Sequence, residues 1–154
     1  MELVSPFAII GRLILAVIVG GLIGFEREVS RRSAGLRTHI LVCLGSCLIM
    51  LTSLYVFDIY KDAVPLDPAR IAAGVITGIG FLGAGAIMRT GDMVKGLTTA
   101  ATLWLVAGIG LGIGCGFYMA SLITTILAIL TLYFLRYFER AILKEQQLSK
   151  QLPD

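Results

Sequence analysis

The sequence predicts an all-α integral membrane protein, a polytopic bundle of about five transmembrane helices. Three observations carry this expectation. The chain is 57% hydrophobic and only 15% charged, where an ordinary soluble domain is about 45–50% apolar and about 25% charged. Its apolar residues gather into charge-poor runs long enough to cross a bilayer, and most of its basic residues fall between those runs on one side. A soluble domain of 154 residues leaves too much surface in water to hide such a composition, so lipid must be part of its solvent.

The helices follow in order from length. A helix rises 1.5 Å per residue, so a hydrocarbon core of about 30 Å takes roughly 20 apolar residues. The first run is 6–25, interrupted only by Arg12. No basic residue precedes it and Glu26-Arg27-Glu28 follows directly, which reads as a retained helix and not a cleaved signal. The second run, 40–57, is uncharged, and the third, 70–88, is uncharged from Ile71 onward. Gly96 to Leu135 then passes 40 residues without a charge. As one helix it would measure about 60 Å, twice the core, so it must turn. Alternating glycines from Gly108 to Gly116 have the freedom to leave helical geometry. They divide the stretch into helices at 97–113 and 117–135, leaving 136–154 as a short basic tail. The tail is expected to prolong helix five along the membrane surface.

Five crossings put Arg27, Arg31, Arg32, Arg37, Arg89, Lys95, Arg136, Arg140, Lys144 and Lys150 on one side, with Lys61 and Arg70 opposite. The excess of positive charge on cytoplasmic loops predicts the N-terminus out and the C-terminus in. A shift of 61 residues superposes Gly24 on Gly85, Gly35 on Gly96, Leu36 on Leu97 and Thr38 on Thr99. Helices one and two thus resemble helices three and four as a parallel repeat, although glycine-punctuated hairpins alone would give similar matches.

Composition also narrows function. A formal charge of +3 is too small to suggest nucleic acid as a partner. Cys43, Cys47 and Cys115 lie in or beside the apolar runs and read as small packing residues, not a disulfide framework. His39 has no metal-ligand companions, and no nucleophile–base pair is present, so neither an enzyme, a cofactor nor a metal site is expected. Trp104 reads as a packing residue.

Ionisable and hydroxyl groups inside a membrane are costly unless paired or wet, so they are the candidates for function. Arg12 lies about six residues into helix one, where it either snorkels to the headgroups or pairs with Asp67. Asp67 and Pro68 suit the N-cap and first turn of helix three, with Arg70 beside them. Glu26 shares a face with Leu22 and Ile23 and points toward the bundle, with Arg37 and Arg89 as partners, while Arg27 is expected in solvent. Thr98, Thr99 and Thr102 open helix four, either bonding their own carbonyls or lining a narrow polar seam. Gly74, Gly78, Gly80, Gly83 and Gly85 mark helix three for close packing, inside the bundle or in a homodimer.

Five segments in this order resemble the MgtC/SapB family over roughly residues 10 to 120. They are Gly24-Phe25-Glu26-Arg27-Glu28, Ala34-Gly35-Leu36-Arg37-Thr38, Asp67-Pro68-Ala69-Arg70-Ile71-Ala72, Gly78-Ile79-Gly80-Phe81-Leu82-Gly83-Ala84-Gly85 and Gly96-Leu97-Thr98-Thr99-Ala100-Ala101-Thr102-Leu103-Trp104. The resemblance implies a bacterial inner-membrane protein associated with adaptation to magnesium limitation, acting on other membrane machinery, with transport of magnesium itself not established for the family. It singles out Glu26, Arg27, Arg37, Asp67, Arg70, Thr98 and Thr99, and some members carry asparagine where this chain has Thr98. Many members continue into a soluble ACT-like domain, for which the residues after Leu135 are too few. The expected partners are the lipid bilayer, a membrane protein and a second copy of the chain. Two functions are in play: a non-enzymatic modulator of a partner or of ion balance, and a small ion or solute transporter or channel acting as an oligomer.

Overall fold

The computed structural model describes residues 5–91 and 93–149, and the side chains of these other than residues 90 and 138–149. Arg140, Lys144 and Lys150 therefore lie outside the described side chains, as does Asp92. Among the described residues the chain forms helices α1 (Pro6–Val29), α2 (Leu36–Tyr60), α3 (Ala69–Ala86), α4 (Leu97–Cys115) and α5 (Tyr118–Ser149). Each contains a stretch long and apolar enough to cross a membrane. Large apolar side chains such as Phe7 and Phe81 stand 86% and 83% exposed, which only a lipid surround tolerates over so much of the molecule. The chain is an all-α, multi-pass membrane protein.

α2 and α4 form the centre. Cys43, Cys47 and Leu51 of α2 pack with Val106, Ile109 and Ile113 of α4, closed on one side by Ala16, Val19 and Ile23 of α1. α3 joins through a smaller cluster of Ile79 with Leu103 and Ala107. α5 lies against α1 and α4.

Glycine lets these axes come close, although not the glycines expected. A Cβ on Gly20 would lie 2.8 Å from the His39 carbonyl oxygen, and one on Gly24 2.9 Å from Leu36 Cα. On α4, a Cβ at Gly110 would lie 2.3 Å from the Cys43 carbonyl oxygen, and at Gly114 2.7 Å from that of Cys47. Two small-xxx-small pairs thus seat α1 and α4 directly on the α2 backbone. The α3 glycines differ. Gly83 is buried against Ala100 of α4, whose Cβ is nearest at 3.6 Å, while Gly74, Gly78, Gly80 and Gly85 have nothing within 4 Å. The expected part of these last four in packing the bundle is not realised within this chain.

The alternating-glycine run also behaves differently. It is helical through Cys115, and the reversal takes only Gly116 and Phe117. Gly116 adopts φ +89°, and the Phe117 N–H bonds back to the Gly112 carbonyl at 2.8 Å, a Schellman termination that needs one left-handed residue. Helix three is shorter than expected, ending at Ala86. Met88–Thr90 and Met93–Lys95 form a small antiparallel hairpin instead. The signal was the Gly91-Asp92 pair, of a type that favours two-residue hairpin loops, with Gly91 at φ +60°. After it, Gly96 at φ +92° opens α4, and a Cβ there would strike the Ala86 carbonyl oxygen at 1.9 Å. The repeat register holds at one point, since Gly35 and Gly96 stand directly before α2 and α4, but the loops preceding them are built differently.

Two more expectations change. Trp104 is 54% exposed and faces outward. Cys43 and Cys47 are buried as packing residues, whereas Cys115 is exposed.

Candidate functional site

The candidate residues separate into two groups at opposite ends of the bundle. One end holds Arg12, Asp67 and Arg70. The Arg12 guanidinium neither snorkels freely nor meets Asp67. Its Nη1 donates to the Gly114 carbonyl at 2.8 Å and its Nε to the Tyr118 hydroxyl at 2.8 Å. Gly114 lies in the last turn of α4, where carbonyls lack helical partners and the helix dipole is negative. Arg12 is a cross-helix cap, joining α1 to the α4–α5 reversal. Asp67 serves α3, its Oδ1 accepting the Ala69 N–H at 2.8 Å. Pro68, directly before α3, already has helical torsions (φ −64°, ψ −18°), as proline's fixed φ allows at a helix start. Arg70 is exposed. Nearby, the solvated Lys61 ammonium donates to Asp58 Oδ1 at 2.6 Å, and that hydrogen bond raises its pKa above the ordinary lysine value. If Arg12 and Asp67 act independently, as this geometry requires, Arg12→Ala and Asp67→Ala should destabilise additively. The first should cost about 1.5–3 kcal/mol for its charged hydrogen bonds and the second about 1 kcal/mol for its cap. Thermal unfolding of both single variants and the double variant in detergent measures the sum, and a marked shortfall would mean that the two are coupled.

The other end holds a buried polar cluster built where α1 stops and α4 starts. Arg27, in the last turn of α1, is 2% exposed, contrary to the expectation that it is solvated. Its Nη2 donates to Thr99 Oγ1 at 3.3 Å, and its Nη1 lies 3.7 Å from Glu26 Oε2. Glu26 does turn inward, but its partners are not Arg37 or Arg89. Ser30 Oγ, one turn on, donates to Glu26 Oε1 at 2.5 Å. Arg136 of α5 donates to Ser30 Oγ and stands 3.8 Å from Glu26 Oε1. Beside this group, Thr102 Oγ1 donates to the Thr99 carbonyl at 2.8 Å and stands 3.3 Å from Nε2 of the fully buried His39. His39 Nδ1 donates to the Gly35 carbonyl at 2.8 Å. Glu26, Arg27, Thr99 and Thr102 are therefore brought together, while Arg37 and Arg89 stay outside.

The cluster is not fully satisfied. Glu26 Oε2 and Arg27 Nε are buried and make no hydrogen bond with a described residue. Each such group costs about 1–3 kcal/mol, and native structures carry few of them. Two carboxylate–guanidinium contacts of 3.7 and 3.8 Å compensate charge without completing the hydrogen bonds. This is the one place among the described residues where charge is held inside the bundle against its own cost, and it is the candidate site.

His39, Ser30 and Arg136 were missed as members. Ser30 follows Glu26 by four residues on one helix, a spacing that brings side chains together. His39, Cys43 and Cys47 repeat at the same spacing and are all 0% exposed, a stripe that marks a contact face. Nothing in the chain around Arg136 points to α1.

Thr98 is exposed and, with Thr102, Thr124 and Thr131, lines a cavity of about 350 Å³ between α4 and α5. A groove of about 780 Å³ separates α2 from α3, and a cavity of about 150 Å³ lies beside Trp104. Arg37 is the one ionisable side chain lining these three spaces.

A family model, that of the MgtC family, matches residues 13–141, a span that enters all five helices, holds the Glu26–Arg27 cluster and begins directly after Arg12. The chain belongs to the MgtC family. Among its MgtC-family relatives, the "Putative magnesium transporter YhiD" of Escherichia coli K12 is 49% identical over 123 residues, covering 79% of this chain and 57% of that protein. "Protein MgtC" of Salmonella typhimurium LT2 is 45% identical over 135 residues, covering 88% and 55%. An uncharacterised Haemophilus influenzae protein is 35% identical over 143 residues, covering 90% and 60%. The chain thus spans between half and two thirds of the length of these MgtC-family relatives. No solved structure matches it.

Proposed function

We propose that this MgtC-family chain is a non-enzymatic inner-membrane protein that modulates ion homeostasis under magnesium limitation by acting on a membrane partner. The observation that carries this reading is the placement of charge. The buried Glu26–Arg27–Arg136 cluster sits at one end of the bundle, and Arg12 is spent on capping α4. Between them the centre of the bundle is closed by glycine-mediated helix contact. A path for a divalent cation would need polar groups near the midplane. The cavities between helices are instead lined by apolar residues and hydroxyls, with Arg37 at one mouth as their one ionisable side chain. In this reading the basic end, with Arg31, Arg32, Arg37, Arg89 and Lys95, faces the cytoplasm, in keeping with the charge rule, and meets the partner there.

The magnesium link is supported by kinship to the protein whose name is "Putative magnesium transporter YhiD". That same name, and the threonines facing one another across the α4–α5 cavity, favour a second reading, an oligomeric ion transporter. Liposomes separate the two. The full chain, reconstituted in vesicles holding a magnesium-sensitive dye, should pass no more Mg²⁺ than empty vesicles. Cross-linking in cells grown at low magnesium should capture a membrane protein in fixed ratio. A Mg²⁺ flux that is abolished by Asp67→Asn would overturn the modulator reading in favour of transport.

A further inference from the structure

The groove between α2 and α3 has an apolar length that the proposed modulation does not use. The two helices meet where Ser53 Oγ donates to the Pro68 carbonyl, and from there they leave an open channel toward the basic end. α2 contributes lining residues from Arg37 to Ile49, and α3 from Ile71 to Leu82. Its walls are almost wholly apolar, and Gly45, Gly74 and Gly78 leave it wide, with nothing within 4 Å of a Cβ at any of the three. From Arg37 to Ile49 the helix rises about 18 Å, close to the roughly 15 Å depth of one leaflet. The open groove faces the membrane sideways, so hydrocarbon chains must reach it.

Arg37 marks the mouth. It is exposed, and no hydrogen bond or ion pair joins it to a described residue. Thr38, its neighbour on the lining, adds a hydroxyl. A guanidinium grips a phosphate with paired donors, and basic pockets between transmembrane helices suit anionic headgroups. We propose that this groove binds one anionic glycerophospholipid, an acyl chain lying between α2 and α3 and the phosphodiester held by Arg37 and Thr38. The lipid then supplies the packing that Gly74 and Gly78 do not find inside the chain. A second copy fits the mouth less well. Brought up about a two-fold axis along the membrane normal, it would set its own Arg37 against this one, like charge against like.

The full chain, stripped of lipid in mild detergent and offered phosphatidylglycerol or phosphatidylcholine, tests this by native mass spectrometry. Phosphatidylglycerol should be retained as a single adduct with about tenfold preference, the worth of one charge-assisted contact. Arg37→Gln should erase the preference, while Arg32→Gln should keep it. Gly78→Leu should expel lipid of either headgroup with the helical circular dichroism unchanged, and Gly45→Leu, from the opposite wall, should do the same if the first variant does not fold. Equal retention of both lipids by the wild type would overturn the proposal, as would adducts indifferent to Arg37→Gln and to groove filling. A dimer lost on Gly78→Leu, with no lipid adduct in the wild type, would give the groove to a second copy instead.

Discussion

Gly110→Val should cost the bundle about 3 kcal/mol or more, near or beyond the upper range for overpacking a core. The reason is what the new side chain would strike. A Cβ at this position lies 2.3 Å from the Cys43 carbonyl oxygen, 2.8 Å from Ser46 Cβ and 3.1 Å from the Cys43 carbonyl carbon. Two of these atoms belong to a helix backbone and cannot rotate away, so α4 must separate from α2. Separation would open the cluster of Cys43, Cys47, Val106, Ile109 and Ile113, the part of the core that joins the two halves of the chain. Gly74→Val makes the contrast. It is the same change on an equally apolar helix, but with nothing within 4 Å, and should shift stability by no more than about 0.5 kcal/mol. Loss of helical circular dichroism on heating in one detergent compares the two. Equal melting would mean that α2 and α4 do not touch through Gly110.

Glu26→Gln should be the most damaging single change at the polar cluster. It removes the negative charge shared by Arg27 and Arg136 and leaves Arg27, 2% exposed, as an uncompensated cation inside the bundle. Breaking a buried pair in this way costs about 3–5 kcal/mol. Arg27→Gln should cost less, because Glu26 keeps Ser30 and Arg136. The double variant should then lie well short of the sum, since neither remaining amide carries a charge that needs the other. Stability measured for the wild type, the two singles and the double closes the cycle. Additive losses would show that Glu26 and Arg27 are neighbours without energetic coupling. The same variants bear on function. A cluster that is purely structural would lose growth at low magnesium only in step with lost protein, whereas a contact for a partner would lose growth at normal abundance.

Much of the fold was legible because a bilayer imposes simple rules. Length and apolarity determine a span, so five crossings were legible, although α5 continues to Ser149, well past the apolar stretch that ends at 135. Asp67 and Pro68 announced the start of α3, because capping needs only a carboxylate beside a backbone end. The Gly108–Gly116 stretch signalled a reversal near Cys115, but alternation exaggerated it. Within it only Gly116 needs a positive φ, while Gly110 and Gly114 are small because α2 lies against them and Gly112 because Ser121 of α5 does. Conformational freedom and small size look identical in a sequence.

The candidate site was half legible for a related reason. Intramembrane charge singled out Arg12 and Glu26, and only the family resemblance singled out Arg27, which was expected in solvent; neither said which residue each would meet. Arg12 has two donors satisfied by a carbonyl and a hydroxyl over a hundred positions away, and Arg136 reaches Ser30 from the last helix.

By itself the sequence determined that this chain lives in lipid, how often its helices can cross, and where the third of them begins. These follow from transfer free energies and backbone capping, which act over one helix turn or one span. Tertiary structure alone decided which glycines are contacts and which are open, and that Glu26 answers to Arg27 and Arg136. It also decided that His39 is enclosed. Those outcomes depend on how helices rotate and cross, and rotation is chosen by the summed packing of all five, not by any local pattern.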